Sequence, residues 1–222
     1  MPPTPRPAGR LETFAALSGR LIDIHRPQKT LLVGIDGARR AGKTRFAERL
    51  ATALTARDVP VHVVRMDEFY HPSARRLAPS PTPRLAGDEY DWKRLIVQLL
   101  APLRHDRQAS YQRYDRRADT LAAWHTISPG GCVIVEGLYA LHPELAGLYD
   151  VRIRVECPRD IRLARDLENE GENVRMLWDA ERTAEEDEYM RTFAPAGRAD
   201  LRVDGSGLSG LDSGTEFLLL EE

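Results

Sequence analysis

The segment Gly37-Ala38-Arg39-Arg40-Ala41-Gly42-Lys43-Thr44 fits the pattern G-x-x-x-x-G-K-[ST], and its flanks leave few folds open. Ahead of it, Thr30-Leu31-Leu32-Val33-Gly34-Ile35-Asp36 is a short apolar run that predicts a buried parallel strand. Behind it, Phe46, Ala47, Leu50, Ala51 and Leu54 recur at helical spacing and predict a helix beginning near Lys43. Strand, glycine-bearing turn and helix N-terminus in that order make an anion site. The backbone N–H groups of the turn and the positive end of the helix dipole converge on one point. Lys43 is then placed to reach the terminal phosphates of a nucleoside triphosphate, and the Thr44 hydroxyl to ligate Mg²⁺.

The rest of the chain alternates strand and helix patterns. Leu11, Phe14, Leu17, Leu21 and Ile24 predict an amphipathic helix before the first strand. A second strand is predicted over Val59 to Arg65, and a third over Cys132 to Val135 ending at Glu136-Gly137. Val151, Ile153 and Val155 alternate with charged residues, and Ala199 to Val203 predicts a short last strand. Helices are expected over Trp92 to Leu103 and, interrupted near Gly171, over Arg159 to Met190. This order predicts a doubly wound α/β domain with a parallel sheet, whose ligands bind at the carboxyl ends of the strands. One domain is expected over 9–206, with a proline-rich disordered start at 1–8, a long acceptor-side loop at 71–90, of the kind that is either functional or disordered, and a tail at 207–222.

Bulk properties exclude several classes. A net charge of −2 argues against a nucleic-acid partner. No apolar run has transmembrane length and no signal-peptide core opens the chain, so a cytoplasmic protein with no membrane partner is expected. The two cysteines, Cys132 and Cys157, are too few for a disulfide framework or a zinc site and are expected as buried free thiols. Homo-oligomerisation is left open. Lysine occurs only at Lys29, Lys43 and Lys93 among 32 basic residues, so arginine clusters carry little meaning by themselves.

Asp67 follows the second strand and Glu136 ends the third, so both are expected to face the site that Lys43 and Thr44 define. Phosphoryl transfer needs a carboxylate to accept the acceptor hydroxyl's proton, and oxygen ligands for a phosphate-bridging Mg²⁺. Asp67 suits the first role while lying close to the metal, and Glu136 suits the second. Tyr70, Tyr90, Tyr111, Tyr114 and Trp92 gather between the second and third strands, either to stack a planar substrate or to cover the sheet end.

These residues, in order, resemble the uridine kinase/phosphoribulokinase family, which includes a pantothenate kinase branch. Gly34-Ile35-Asp36-Gly37 running into Gly42-Lys43-Thr44 resembles its opening, and Asp67-Glu68-Phe69-Tyr70 its D-x-F-Y. Tyr90-Asp91-Trp92, Tyr114-Asp115 and Val133-Ile134-Val135-Glu136-Gly137 resemble its next three segments. Arg162-Leu163-Ala164-Arg165 resembles its lid, and Ala199-Asp200-Leu201 with Gly205 its last motif. The resemblance implies a five-stranded P-loop NTPase core with a small helical lid at about 158–176, binding ATP and Mg²⁺. By the same resemblance Asp67 is the base, Thr44 and Glu136 hold Mg²⁺, Tyr70, Asp91 and Tyr114 touch a small-molecule acceptor, and Arg162 and Arg165 close over the phosphates.

The chain departs from that pattern at Asp115-Arg116-Arg117, where nucleoside kinases of the family carry an aromatic residue and a histidine that contact the base. In the lid, Asp166-Leu167-Glu168-Asn169-Glu170 replaces further basic residues, with Arg175 as a substitute. The expected activity is ATP-dependent phosphorylation of a pyrimidine nucleoside 5′-hydroxyl. The alternatives are another hydroxylated metabolite (pantothenate-like or a sugar phosphate), or a regulatory NTPase without an acceptor.

Overall fold

The computed structural model describes residues 8–25, 29–80, 85–170, 183–208 and 210–221. The apolar run ahead of the glycine-bearing turn is strand β2 (Leu31–Gly37), buried at every position. It lies parallel between β6 (Cys132–Gly137) and β7 (Val151–Glu156). β3 (Val61–Arg65) pairs parallel with the far side of β6, and β8 (Leu201–Asp204) with the far side of β7. The parallel core therefore reads β8-β7-β2-β6-β3. The connection from β2 through helix α2 (Lys43–Thr55) to β3 skips over β6. That reversal opens a crevice at the carboxyl ends of β2 and its neighbours.

Alternation along β2 and β6 builds a core on each face of the sheet. Leu31, Val33, Ile35 and Ile134 meet α1 (Phe14–Ile24) and α2 through Phe14, Leu17, Phe46 and Leu50. Leu32, Val133 and Val135 meet the helical run 92–104 through Leu99 and Leu103, and Tyr189 from the helix Thr183–Phe193. Each fully buried leucine here stabilises the fold by about 1.5–3 kcal/mol relative to exposure. Among the described residues no helix is long and apolar enough to cross a membrane.

The sheet is larger than the five strands expected. Residues Gly9–Thr13 form β1 and Glu216–Leu220 form β9, and these pair antiparallel with each other. β9 also touches β8 at Val203↔Leu219, giving seven strands in all. Two expectations are corrected here. The helix predicted from Leu11 starts at Phe14, because Thr13 accepts a hydrogen bond from the Ala16 amide (3.0 Å) and caps it, while Leu11 sits exposed on β1. The segment expected as a tail past 206 returns to the sheet, driven by Phe217, which is buried against Phe14 and Phe46 at 5.0 and 5.2 Å. Residues 1–7, Gly171, Arg175 and the lid beyond 170 lie outside the described residues. Cys132 is buried as expected, whereas Cys157 is only half-buried; both are free thiols.

Between β3 and β6 stands an unanticipated hairpin, β4 (Ala109–Asp115) and β5 (Thr120–Ile127). Asp115 turns the chain by accepting from the Arg117 amide at 2.8 Å and the Ala118 amide at 3.1 Å. The alternation of buried Ala109 and Tyr111 with exposed Ser110 was the available signal.

Candidate functional site

The glycine-bearing turn is shaped by residues that a larger side chain would disrupt. Gly42 has φ of 101°, in the left-handed region that favours glycine, and stands as the N-cap of α2 without any side-chain cap. A Cβ on Gly205 would lie 1.8 Å from the Ala41 carbonyl oxygen, so the segment after β8 presses directly on the turn. The first turn of α2 carries no acidic residue, and its amides are open to an anion. Lys43 Nζ donates to the Ala38 carbonyl at 2.8 Å, folded back on its own loop.

The strand registers bring the acidic residues to that turn. Ile35 and Arg65 both stand opposite Glu136, so this carboxylate ends β6 between β2 and β3. The Thr44 hydroxyl donates to Glu136 Oε1 at 2.9 Å, and Arg65 Nε lies 3.7 Å from the same oxygen. Burial pushes the Glu136 carboxyl above its usual range, opposed by Lys43 and the Thr44 hydrogen bond. Burial pushes Lys43 below its usual range, opposed first by Glu136 and then by Asp36. Each charge thus offsets the other's desolvation. Asp67 follows β3 on a 3₁₀ turn, Met66–Phe69, and is exposed. Lys43, Thr44, Asp67, Tyr70, Glu136 and Arg165 line one cavity of about 790 Å³, together with Arg39, Arg40 and Gly42 of the turn.

Other expected residues are placed differently. Arg162 is buried beside the turn and does not line the cavity; it donates to Glu186 Oε2 at 2.7 Å and to the Arg39 carbonyl at 3.3 Å. Glu186 in turn accepts the Arg39 amide at 2.8 Å. Arg165 donates to the carbonyls of Arg40, Gly205 and Ser206 at 2.8, 2.9 and 2.7 Å. The two lid arginines on Arg159–Glu170 therefore grip the backbone of the turn from its side. Neither Asp91 nor Tyr114 lines the cavity. Asp91 accepts from the Arg94 amide at 3.0 Å and faces His71 and the Arg94 side chain, each at 3.5 Å. The Tyr114 hydroxyl donates to Asp119 at 2.7 Å. Tyr90 and Tyr111 are buried core, and Tyr70 stacks on Tyr90 with centroids 4.3 Å apart while keeping an edge on the cavity.

Three supporting residues had no sequence signal of their own. Asp36 is fully buried at the end of β2, ion-paired with Arg154, and accepts from Tyr189 Oη at 2.8 Å and the Leu141 amide at 3.0 Å. Arg94 is buried and donates to the carbonyls of Glu68, Tyr70 and Gln112, clamping the Asp67 turn to β4. Glu68 receives Arg113 in a two-point fork and Tyr111 Oη at 3.0 Å.

Residues 32–201 match the phosphoribulokinase/uridine kinase family. The chain belongs to that family. It is 26% identical over 179 residues to a uridine kinase of Oceanobacillus iheyensis, covering 76% of this chain and 79% of that one. It is 32% identical over 148 residues to the inorganic pyrophosphatase TTM2 of Arabidopsis thaliana, covering 64% of this chain and 21% of that protein. Among solved structures, a possible uridine kinase from Bacillus stearothermophilus superposes with a TM-score of 0.65 at 24% identity, covering 85% and 96% of the two chains. A putative fructose transport system kinase from Silicibacter does so with a TM-score of 0.58 at 27% identity, covering 81% and 89%. The fold is that of the α/β P-loop NTPases, here with a seven-stranded sheet. The chain spans only 21%, 28% and 30% of the length of three of the curated relatives it matches.

Proposed function

We propose that this chain transfers the γ-phosphoryl group of ATP to a hydroxyl of a small molecule, with a pyrimidine nucleoside 5′-hydroxyl as the leading acceptor. The observation that carries the reading is the convergence of Lys43, Thr44, Glu136 and Asp67, from the ends of β2, β6 and β3, on one cavity. The amides of Gly42, Lys43 and Thr44 at the open end of α2 hold the phosphates, and Lys43 exchanges the Ala38 carbonyl for phosphate oxygens. The oxygen pair of Thr44 and Glu136 fits a hard divalent cation such as Mg²⁺, with Asp67 beside it. Held there by Thr44 and Glu136, Mg²⁺ would neutralise the negative charge that develops during transfer.

The Asp67 carboxylate has no hydrogen bond or ion pair among the described residues, so it is available to accept the acceptor's proton as the new P–O bond forms and the bond to ADP breaks. Arg165 reaches the phosphates by releasing backbone carbonyls, while Arg162 holds Glu186 against the Arg39 amide and so fixes the turn. Tyr70 forms the wall on the acceptor side. Asp91 and Tyr114 contact an acceptor only by giving up their present partners, and they first position the segment that bears Tyr70.

One observation favours an acceptor other than a nucleoside. The residues that replace the family's base-contacting pair include Arg116, whose guanidinium sits 5.5 Å over the Tyr70 ring where a base would stack. The test is ADP release from Mg·ATP with uridine, cytidine, pantothenate and ribulose 5-phosphate, each against an acceptor-free control. Acceptor-dependent release that disappears in Lys43→Ala supports the reading. The same slow release with and without every acceptor would make the chain a regulatory NTPase.

A further inference from the structure

The cavity runs across the carboxyl ends of the whole parallel core. Asp67 and Tyr70 lie past β3 at one edge, Lys43 and Thr44 past the central β2, and Asp204 and Gly207 at the end of β8 on the other edge. Its volume of about 790 Å³ lies high in the range of small-molecule sites, with room for more than a chain of phosphates. In-line phosphoryl transfer sets the attacking and leaving oxygens on opposite sides of phosphorus. With Asp67 on the β3 side, the departing nucleoside diphosphate must extend toward β8. The ribose and base of the donor then fall in the part of the cavity that the chemistry described above leaves unused.

That part has a built wall. The Gly205 amide donates to the Glu156 carbonyl at 2.7 Å, and Arg165 holds the Gly205 and Ser206 carbonyls, so the chain leaving β8 is fixed beside the turn. Asp212 then turns the chain back toward β9. Its carboxylate accepts from the Gly214 amide at 2.9 Å and the Thr215 hydroxyl at 3.0 Å, and the Thr215 carbonyl accepts the Phe14 amide at 3.0 Å. Leu211 and Leu218, on the two sides of this turn, line the cavity and stay partly exposed.

Arg45 and Arg49 line it from α2, four residues apart and so on one helix face. Both are exposed, and neither makes a hydrogen bond or ion pair among the described residues. The Asp212 carboxyl is held below its usual range by the Gly214 amide first and then by Thr215, with Arg49 adding to the pull, so α2 and the returning segment are neighbours. Leucine side chains from one element and planar guanidinium groups from another suit a flat ring with apolar faces and polar edges. Leu211, Asp212 and Leu218 lie beyond residues 32–201, the span that matches the family.

Resting on the phosphotransfer reading above, we propose that the segment returning from β8 to β9 forms the subsite for the nucleoside end of the donor nucleotide. Leu211 and Leu218 cover one face of the base, and the Arg45 and Arg49 guanidinium groups cover the other. By this subsite the chain tells a nucleoside triphosphate from a bare polyphosphate.

The test compares the Mg²⁺ complexes of the β,γ-imido analogue of ATP and of inorganic tripolyphosphate by calorimetry. Wild type should bind the analogue at least about tenfold more tightly, the effect of covering a ring face with leucine. Leu211→Ser combined with Leu218→Thr, which keeps a strand former in β9, should weaken the analogue by about 10–100-fold and tripolyphosphate by less than about threefold. Arg45→Gln combined with Arg49→Gln, at exposed positions, should cost the analogue about threefold or more beyond its cost to tripolyphosphate. Hydrogen exchange on the wild type needs no variant: amides across 210–215 should slow with the analogue bound and not with tripolyphosphate. Equal wild-type affinity for the two compounds, equal losses of both in either paired variant, or unchanged exchange across 210–215 with the analogue bound overturns the proposal and leaves the kinase reading in place. Failure of wild type to bind either compound overturns this proposal and the phosphotransfer reading together.

Discussion

Asp36→Ala should come close to unfolding the protein, although Asp36 touches none of the reacting groups. Its carboxylate is wholly buried and serves three partners on three elements: Arg154 on β7, the Leu141 amide after β6, and Tyr189 on the helix Thr183–Phe193. Removing one member of a buried ion pair costs about 3–5 kcal/mol, because the remaining charge is stranded. Arg154 is only 6% exposed and, once alone, cannot reach bulk water without moving β7. The orphaned tyrosine hydroxyl and amide add about 1–3 kcal/mol each when taken singly, and less together because all three share one cavity. A total of about 4–6 kcal/mol is expected, against a whole-domain stability of about 5–15 kcal/mol. Urea unfolding followed by tryptophan fluorescence measures it as a lower midpoint at unchanged slope. The paired change Asp36→Leu with Arg154→Met should recover at least half of the loss, since it removes both charges. A loss below about 1 kcal/mol in Asp36→Ala, or no recovery in the paired variant, would refute the argument that this ion pair locks the sheet to its helices.

Glu89→Gln should raise stability by about 1 kcal/mol at pH 8, after allowing for partial exposure of the side chain, and by much less at pH 5. The sign follows from burial, which lifts the half-buried Glu89 carboxyl from 4.5 to about 7 in the fold and so lowers stability as pH rises through that window; its own backbone hydrogen bond and Arg76 oppose the lift, and Glu185 and Asp88 add to it. Melting curves across pH 5–8 check it, and parallel curves for the two proteins would contradict it. Gly205→Ala should weaken ATP-analogue binding by about 5–100-fold, because overpacking of about 1–3 kcal/mol falls on the glycine-bearing turn. The added Cβ would meet the Ala41 carbonyl oxygen at 1.8 Å and Val155 Cγ1 at 2.6 Å. Calorimetry shows it, and wild-type affinity would mean that the turn relaxes freely.

The P-loop was legible because its chemistry is local: the strand, the left-handed Gly42 and the open end of α2 lie within 25 residues of one another. Asp67 and Glu136 were legible as strand-end acids once a parallel sheet was inferred; the registers place Glu136 beside β2, and Asp67, just past β3, lines the same cavity. β1 and β9 were not, because each is a short run whose pairing partner lies some 200 residues away. The Phe217-Leu218-Leu219-Leu220 run was a strand signal masked by the glycine- and serine-rich segment before it. In an arginine-rich chain the pattern also cannot show which guanidinium is buried. Arg94 and Arg154 hold backbone carbonyls and a buried carboxylate, while Arg162 turns to Glu186 instead of the cavity. Side-chain direction of that kind is fixed by tertiary contacts rather than by spacing.

The most direct test of the account is Asp67→Asn, with phosphoryl transfer and nucleotide binding measured on the same preparation. Acceptor-dependent transfer from γ-labelled ATP should fall by about 10²–10⁴-fold in kcat, the range for a lost general base. Affinity for a non-hydrolysable ATP analogue, measured by calorimetry with Mg²⁺ present, should stay close to wild type. A fall of less than about threefold in kcat would show that Asp67 is a solvated acid at the end of β3 and that the proton leaves by another route.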